Sequence, residues 1–398
     1  MPPIINNHNI LVTGANGFIG RNLCAFLKEK GYFVRGAVRN NVCDIPGADE
    51  YIHVGDIDES TDWQEALAGV DMVVHLVARV HVMHEHADDS IKEFRKVNVL
   101  GTERLVRMAV KAGVKRFIFA SSVKVNGDGT GALLGKDLDS SASPQNDRGC
   151  MDFGLLRPPR FTRGTRNDKG NCNDKGVRND NYRAYTEKDM PAPQDAYGIS
   201  KLEAEQALAR IADETGLEVV ILRLPLVYGP GVKANFKSLI KMARSSLPLP
   251  FKGINNRRSF LYVGNLVDAI CVCIEHPKAA GETFLVSDGQ DVSTPDLIRM
   301  IAGAMEERPR GYRGFGLLRP PRFTRGLRND VGLFYLPLGV LKALCKIIGK
   351  SEELEKLTGS LVVDSSKIRN LFGWKPPFTL EEGIKETVKK IDSSLRSE

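Results

Sequence analysis

The 398-residue sequence contains no uninterrupted apolar run of the ~20 residues that a membrane-spanning helix requires. Its best candidate, Val331 to Gly349, is interrupted by Lys342 and Lys346. The periodicity there favours an amphipathic helix over a small domain, with contact at a membrane surface as the alternative. No charged start, apolar stretch and small-residue cleavage site precede Asn9, so no secretory signal is evident. We therefore expect a cytoplasmic protein without an integral membrane span.

Cysteine is scarce and irregularly placed, with seven residues at positions 24, 43, 150, 172, 271, 273 and 345. Cys271 and Cys273 lie two apart in an apolar helical stretch, which suits packing better than metal ligation. None of the spacings matches a zinc site or a disulfide framework. We expect free thiols in a reducing compartment and no bound metal.

An evenly basic surface is also lacking, although the chain has a formal net charge of +7. Residues 148–183 carry +5 and residues 308–330 carry +6, which leaves −4 on the rest of the chain. This mildly acidic remainder argues against a nucleic-acid-binding protein.

The two basic segments contain near copies of one another, Phe153–Asp168 and Phe315–Asp330, which differ at one position. Two copies 162 residues apart, rich in Arg, Pro and Gly, do not make a structural repeat. They indicate in-frame insertions, bounded at 128–183 and 307–330, that form surface loops. A basic docking arm is the alternative interpretation.

A glycine-rich turn follows the first apolar strand, residues 9–13, and leads into a helical pattern. Its glycines are Gly14, Gly17 and Gly20. The first allows a tight turn, the second lets a pyrophosphate approach the backbone, and the third lets helix and strand pack closely. The helix N-terminus adds N–H donors and a positive dipole end. The segment predicts a dinucleotide site in a doubly wound, Rossmann-type α/β fold.

The second strand, Tyr32 to Val38, lacks at its end the acidic residue that holds the ribose 2′-hydroxyl of NAD. Arg39 follows, and its guanidinium can pair with a 2′-phosphate. This favours NADP(H) over NAD, unless Arg39 is only a solvated charge. Asp56, after a third strand, is a candidate acceptor for the adenine amino group.

Tyr197 and Lys201 lie four residues apart at the start of a helical stretch and so share one helix face. The ammonium can lower the pKa of the phenol, which can then exchange a proton with a substrate oxygen while hydride moves. A fourth strand ends in Leu76-Val77-Ala78, which we expect under the cofactor. A fifth brings Ser122 to the same carboxyl edge of the sheet.

The order of these motifs resembles that of the extended short-chain dehydrogenase/reductases, the NAD-dependent epimerase/dehydratase family. The resemblance rests on TGANGFIG, VNVLGT, ASSVKVNG, AYGISK, LRLPLVYGPG, RRSFLYVGNLVDAI and DSSKIRNLFGWKPPFTLEEG, and spans nearly the whole chain outside the inserts. It implies Ser122, Tyr197 and Lys201 as catalytic residues and Asn98 as a structural support. The cofactor contacts expected together are Gly14, Gly17, Phe18, Ile19, Gly20, Arg39, Asp56, Ile57, Leu76, Val77, Ala78, Asn98, Tyr197, Lys201 and Pro225.

Two domains are predicted. A Rossmann domain takes residues 1–230 and 259–287, and a smaller substrate-binding domain takes 231–258 and 288–398, with the site in the cleft between them. Ser122 and Tyr197 are 75 residues apart because the first insert lies between them. The family resemblance leaves a homodimer open.

Residues 122–124 exclude one reaction of the family, 4,6-dehydration. The resemblance implies Thr-Asp-Glu at these positions in the 4,6-dehydratases, and this sequence has Ser122, Val123 and Lys124 instead. The carboxyl pair needed for elimination is therefore missing. Two interpretations remain: a 4-epimerase with tightly bound NAD, and an NADPH-dependent reductase of a 4-keto-6-deoxy UDP-sugar for surface polysaccharide synthesis. SSVKVNG and LPLVYGPGVKANF resemble bacterial reductases that make UDP-N-acetyl-quinovosamine or -fucosamine, and Arg39 also favours reduction. The alternative outside enzymes is a protein that binds a dinucleotide without catalysis, or a decaying gene product.

Substrate recognition is expected chiefly from the second domain. Arg258 stands where the resemblance implies a grip on the diphosphate of a UDP-sugar. Asn235 and Phe236 follow the turn that contacts the nucleotide in the family, and Lys124 lies beside Ser122. The alternatives are a surface salt bridge for Arg258, and helix capping or core packing for Asn235 and Phe236.

Overall fold

A computed structural model of the chain describes residues 8–40, 45–80, 87–130, 183–232, 235–244, 248–305 and 332–396. Apart from Arg183, the described residues belong to one compact unit. Both copies of the basic repeat, Phe153–Asp168 and Phe315–Asp330, lie outside the described residues, so the two predicted insert loops stay predictions.

Within those ranges the chain forms ten strands. They are, in chain order, β1 Asn9–Thr13, β2 Phe33–Val38, β3 Glu50–His53, β4 Met72–His75, β5 Arg116–Ser122, β6 Glu218–Leu224, β7 Leu226–Tyr228, β8 Arg258–Tyr262, β9 Thr283–Leu285 and β10 Asp291–Val292.

The described residues also form twelve α-helices, the last five of which follow β10. They are α1 Phe18–Glu29, α2 Gln64–Leu67, α3 Ala87–Arg95, α4 Thr102–Lys111, α5 Ala196–Thr215, α6 Asn235–Arg244, α7 Val263–Glu275, α8 Thr294–Ala304, α9 Leu338–Ile347, α10 Ser351–Thr358, α11 Ser366–Phe372 and α12 Leu380–Arg396. A π-helical stretch, Lys96–Gly101, joins α3 to α4, and short 3₁₀ turns span Val123–Val125 and Pro277–Ala279.

Seven strands form a fully parallel sheet in the order β3-β2-β1-β4-β5-β6-β9. The strand order reverses between β1 and β4, and doubly wound sheets bind ligands at the carboxyl ends of the strands at such a point. The predicted Rossmann-type α/β class is confirmed.

Alternate residues of the buried strands enter two apolar cores, one on each face of this sheet. On β1, Ile10 and Val12 join the core that contains residues of α1 and α7. Leu11, between them, joins the core that contains residues of α4 and α5. Because both faces are covered, the strands read in the sequence as continuous apolar runs rather than as an alternating pattern.

A smaller sheet has the order β10-β8-β7, with β8 parallel to β7 and antiparallel to β10. Pro225 separates β6 from β7, so the chain passes from the large sheet to the small one within one residue. Strand β7 belongs to the first predicted domain and β10 to the second. The division into a Rossmann and a substrate-binding domain therefore stays a prediction.

The chain on either side of residues 131–182 is hydrogen-bonded to one carboxyl-terminal segment, Ser360–Asp364. The Thr130 N–H donates to the Ser360 carbonyl at 2.8 Å, and its hydroxyl accepts from Val362 N–H at 3.2 Å. The Tyr185 N–H donates to the Val362 carbonyl at 2.9 Å, and its carbonyl accepts from the Asp364 N–H at 2.8 Å. Both flanks are thus fixed by the same stretch of chain.

No helix in the described ranges is both long enough and apolar enough to cross a membrane. Cys24, Cys271 and Cys273 are buried free thiols, and Cys345 is a partly buried one. Burial raises the pKa of each of the first three to about 12. No group of three or more metal-ligating side chains occurs among the residues described.

Candidate active site

The glycine turn after β1 has the geometry that its sequence predicts. Gly14 has φ +68° and donates its N–H to the Ala37 carbonyl at 3.0 Å. The Gly17 N–H donates to the Gly14 carbonyl at 2.9 Å and closes the turn. A Cβ on Gly20 would stand 2.2 Å from the same carbonyl oxygen. Only glycine lets α1 pack this closely on the end of β1.

A cleft of about 460 Å³ opens above this turn at the carboxyl edge of the sheet. The predicted cofactor residues that line it are Gly14, Gly17, Arg39, Asp56, Ile57, Leu76, Val77 and Ala78. Sequence reasoning missed other lining residues, among them Asn16, Gly55, Arg79, Glu93 and Lys96. Of the remaining predicted contacts, Phe18, Ile19, Gly20, Asn98, Tyr197, Lys201 and Pro225 do not line this cleft.

Arg39 and Asp56, predicted for separate roles, form an ion pair on the wall of the cleft. Their side chains are 70% and 69% exposed. An ion pair so exposed contributes little to stability, because water screens it and two flexible side chains must be held together. Arg39 can therefore leave Asp56 for a better-placed anion at small cost.

Asn98 joins the cleft to α5. Its side-chain oxygen accepts from the Arg79 N–H at 2.8 Å, and its amide donates to the Arg79 carbonyl at 3.1 Å and to the Ser200 hydroxyl at 3.0 Å. It lies in the π-helical stretch Lys96–Gly101 and is buried. Asn98 thus has the position of a structural support, although it does not line the cleft.

Ser122 and Tyr197 are brought together by β5 and α5. Ser122 ends β5, where β6 pairs with the strand as far as Leu224, and the Tyr197 hydroxyl lies close enough to the Ser122 side chain for the serine to affect the pKa of the phenol. Burial raises the pKa of Tyr197 to about 12, the nearby Ser122 side chain opposes that rise, and the Asp195 charge adds to it. The phenol is therefore neutral at pH 7.

Lys201 lies one turn further along α5 with its side chain fully buried. Its ammonium donates to the Ala120 carbonyl at 2.8 Å and lies 4.4 Å from the centre of the Phe119 ring. Burial lowers the pKa of Lys201 from 10.5 to about 7. The expected effect of this lysine on Tyr197 is not what the structure shows, because the amine is directed to β5 and burial dominates the pKa of the phenol.

A buried polar network behind these residues escaped sequence reasoning. Glu205, one turn beyond Lys201 on α5, pairs with Arg223 of β6 at 2.7 Å and accepts from the Ser121 hydroxyl at 2.5 Å. Arg223 also donates to Asn126 at 3.2 Å. The available signal was an arginine inside the apolar run VVILRL. The network ties α5 to β5, to β6 and to the chain after Ser122.

Lys124 clamps the turn after β5 to the start of α5. Its ammonium pairs with Asp195 and lies 3.4 Å from Asp128. Asp195 also caps α5 by accepting from the Gly198 N–H at 2.7 Å. A Cβ on Gly198 would lie 2.8 Å from the Lys124 carbonyl oxygen, so only glycine permits this approach. The clamp holds Ser122 against α5.

The contacts of the other predicted substrate residues are with parts of the chain other than Ser122 and Tyr197. The Arg258 guanidinium, half-buried at the start of β8, donates to the Lys356 carbonyl of α10. Phe236 is buried and stacks on Tyr228 with ring centres 5.2 Å apart. Asn235 begins α6, and its side chain lies outside the described residues.

Residues 10–149 and 175–287 match the sequence profile of the NAD dependent epimerase/dehydratase family. The chain belongs to this family. A UDP-glucose 4-epimerase of Vibrio cholerae is 38% identical over 383 residues, which cover 96% of this chain and 94% of that protein. Membership confirms the resemblance that the motifs carried and the enzyme class that it implied.

Solved structures share the fold of this epimerase/dehydratase-family chain. MoeE5 in complex with UDP-glucuronic acid and NAD has a TM-score of 0.64 at 22% identity, with 97% of this chain and 99% of that one covered. UDP-glucuronic acid 4-epimerase from Bacillus cereus, in complex with NAD, has a TM-score of 0.64 at 20% identity, with 98% of each chain covered.

Proposed function

We propose that the chain transfers hydride at C4 of a UDP-hexose or UDP-hexosamine, and that its reaction is the reduction of a 4-keto-6-deoxy sugar. The observation that carries the proposal is the position of Tyr197 beside Ser122, with Lys201 one turn along α5. Asn98 links α5 to Arg79 on the wall of the glycine-lined cleft. A proton donor and a dinucleotide cradle therefore meet at one edge of the sheet.

The cleft fits a nicotinamide dinucleotide. A Cβ on Gly14 would meet Val77 at 3.1 Å, and one on Gly17 would meet the Gly14 carbonyl at 3.1 Å, so side chains here would fill the cradle. These two glycines would hold the pyrophosphate, and Arg39 and Asp56 the adenosine end. When bound, the dinucleotide supplies or accepts hydride at its nicotinamide ring.

The protonation state of Tyr197 favours reduction. With a pKa of about 12, the phenol keeps its proton at pH 7 and is available to protonate the oxygen that develops negative charge at C4. The Ser122 hydroxyl, beside the same phenol, would accept a hydrogen bond from the same substrate oxygen once it is protonated. Removing a proton from a C4 hydroxyl, which oxidation requires, would need a phenol of lower pKa.

Arg39 supports NADP(H) as the cofactor. Its ion pair with Asp56 is exposed, and such pairs typically contribute ~0–1 kcal/mol. A 2′-phosphate carries about −1.5 to −2 charges and three acceptor oxygens, so it attracts the guanidinium more strongly than a single carboxylate does. The strand end also offers Val38 rather than a carboxylate to the ribose 2′-hydroxyl.

A 4-epimerase with tightly bound NAD is the second candidate. The observation that favours it is the 38% identity with the Vibrio cholerae protein named UDP-glucose 4-epimerase. The solved structures of MoeE5 and of the Bacillus cereus epimerase also contain NAD. Arg39 would then keep Asp56 as its partner.

Lys124 and Arg258 are proposed to contact the sugar nucleotide. Lys124 lies two residues beyond Ser122, and its ammonium is held at the start of α5 by Asp195. Arg258 keeps further N–H donors for a diphosphate besides the one given to Lys356. Val123 and Lys124 offer no carboxyl group for 4,6-elimination.

The test is turnover by the purified full chain. UDP-4-keto-6-deoxy-N-acetylglucosamine with NADPH should be reduced, and UDP-glucose alone should stay unchanged. Tyr197→Phe should lower the rate ~10²–10⁴-fold, because it removes the general acid. The matched control is Tyr32→Phe, whose hydroxyl bonds Glu275 at 2.7 Å.

The products and the variants distinguish the reductase from the epimerase and test the role of Tyr197. Formation of UDP-galactose from UDP-glucose without added cofactor would establish the epimerase instead. Equal rates for Tyr197→Phe and wild type would refute both. If Tyr32→Phe loses as much activity as Tyr197→Phe, the effect of Tyr197→Phe is not specific, and a role of Tyr197 as the general acid is refuted.

A further inference from the structure

The helix α9 and the chain before it expose large apolar side chains. They include Ile347, 83% exposed, and Tyr335, 67% exposed. We name the α9 face as the exposed residues Phe334, Tyr335, Val340, Leu344, Ile347 and Ile348. Val340, Leu344 and Ile347 are spaced four and three apart, so they share one side of the helix. Exposed apolar side chains that share one side of a helix are typical of an interaction site.

The body of the protein holds this face in place from the other side. Leu341 is buried and Cys345 packs on the same core. The Phe334 N–H donates to the Leu249 carbonyl at 3.0 Å, and the Leu249 N–H donates to the Gly332 carbonyl at 2.8 Å. The exposed side chains therefore belong to an anchored element and are presented outward by the fold.

The segment that forms the α9 face carries charge of one sign, whereas α10, which follows it, contains Glu352, Glu353 and Glu355. From residue 332 to residue 350 the sequence contains three lysines, Lys342, Lys346 and Lys350, and no Asp or Glu. All three lysines are exposed, and the first two are four residues apart on one side of α9. An apolar helix face with lysines on the opposite side of the helix is complementary to a bilayer with anionic headgroups, where the apolar side chains enter the acyl boundary and the lysines meet phosphates.

We propose that the α9 face docks the protein onto a membrane surface rich in anionic lipid. The helix lies in the interface plane, with Leu344 and Ile347 inserted and Lys342 and Lys346 at the headgroups. Tyr335, an aromatic side chain with a polar hydroxyl, suits the boundary between these two layers. Docking does not depend on the proposed reaction, because it uses none of the residues around Ser122.

The experiment is vesicle flotation of the full chain. Vesicles of phosphatidylcholine with phosphatidylglycerol should carry the wild type, and vesicles of phosphatidylcholine alone should carry much less. Ile347→Glu should abolish flotation. Lys346→Gln should weaken binding about fivefold, because one basic residue near an anionic surface contributes about 1 kcal/mol. Met190→Glu, an exposed apolar residue outside the α9 face, should float like the wild type.

Three results would overturn the proposal. If anionic vesicles retain Ile347→Glu and Lys346→Gln as well as the wild type, other basic residues, such as those of 308–330, account for the binding. If both vesicle types carry equal protein, the lysines do not select anionic lipid. If vesicles carry no protein and Ile347→Glu converts a dimer to a monomer in sedimentation velocity, the α9 face joins two copies of the chain.

Discussion

Replacing Lys201 by methionine is expected to give a protein that is inactive yet more stable than the wild type. The wild-type fold buries an amine whose pKa falls from 10.5 to about 7. At about 1.36 kcal/mol for each pH unit, this difference corresponds to roughly 5 kcal/mol of penalty for the charged form. Methionine has a similar length and carries no charge to desolvate.

The sign of the pH dependence follows from the two pKa values. Between about pH 7 and pH 10.5 the unfolded chain holds a proton that the folded chain has lost, so this group makes wild-type stability rise with pH. Below pH 7 the whole penalty is present. Methionine gives up the bond to Ala120, about 1 kcal/mol, and the contact with Phe119, about 1 kcal/mol. The variant should therefore be roughly 2–3 kcal/mol more stable at about pH 6, and only about 1 kcal/mol more stable at about pH 9, where the folded amine is neutral and has no cation–π contact to lose.

Urea unfolding at these two pH values measures the effect, with fluorescence of the buried Trp63 and Trp374 as the signal. Other titrating groups are common to both proteins and cancel in the difference. Lys111→Met, at an exposed position of α4, is the control and should change stability by less than about 0.5 kcal/mol at either pH. Parallel stability–pH curves for Lys201→Met and wild type would refute the reasoning, whatever their separation.

Three further predictions concern the cradle and the network behind it. Arg39→Ser should lower kcat/KM for NADPH by ~10–100-fold and leave NADH nearly unaffected, because a hydrogen bond to a phosphate is lost; equal losses would reject a 2′-phosphate partner. Gly20→Ala should impair folding and dinucleotide affinity, since its Cβ would meet a carbonyl at 2.2 Å, whereas Gly303→Ala, with open space, should stabilise α8 by up to about 1 kcal/mol in thermal melts. Glu205→Gln should cost ~3–5 kcal/mol in urea unfolding by leaving Arg223 buried without its charge partner, and a cost below about 1 kcal/mol would contradict this.

The parts of the site that sequence reasoning predicted are those governed by local rules. The turn around Gly14 needs only its own glycines and the strand before it, and Ser122 needs only its place at the end of a parallel strand. Tyr197 and Lys201 are fixed on one helix by their spacing. Such features follow from patterns within a few residues, so a single sequence suffices.

The parts that could not be predicted depend on contacts between distant segments. The sequence around Arg39 does not indicate that Asp56 pairs with it. The pair forms only because β2 and β3 lie side by side in the sheet. The direction of Lys201 toward Ala120 depends on how α5 packs against β5. Phe236 fits an amphipathic helix equally well as a ligand contact or as core, and tertiary packing decides.

The grip of Ser360–Asp364 on both Thr130 and Tyr185 has a consequence for the integrity of the polypeptide. A protease that severs the backbone between these two anchors would leave a nicked protein whose fragments remain associated. The cleavage would add two chain ends without separating Ser122 from Tyr197. The hydrogen bonds that would let the fold accept an insertion at this point would then also let it accept a break in the backbone.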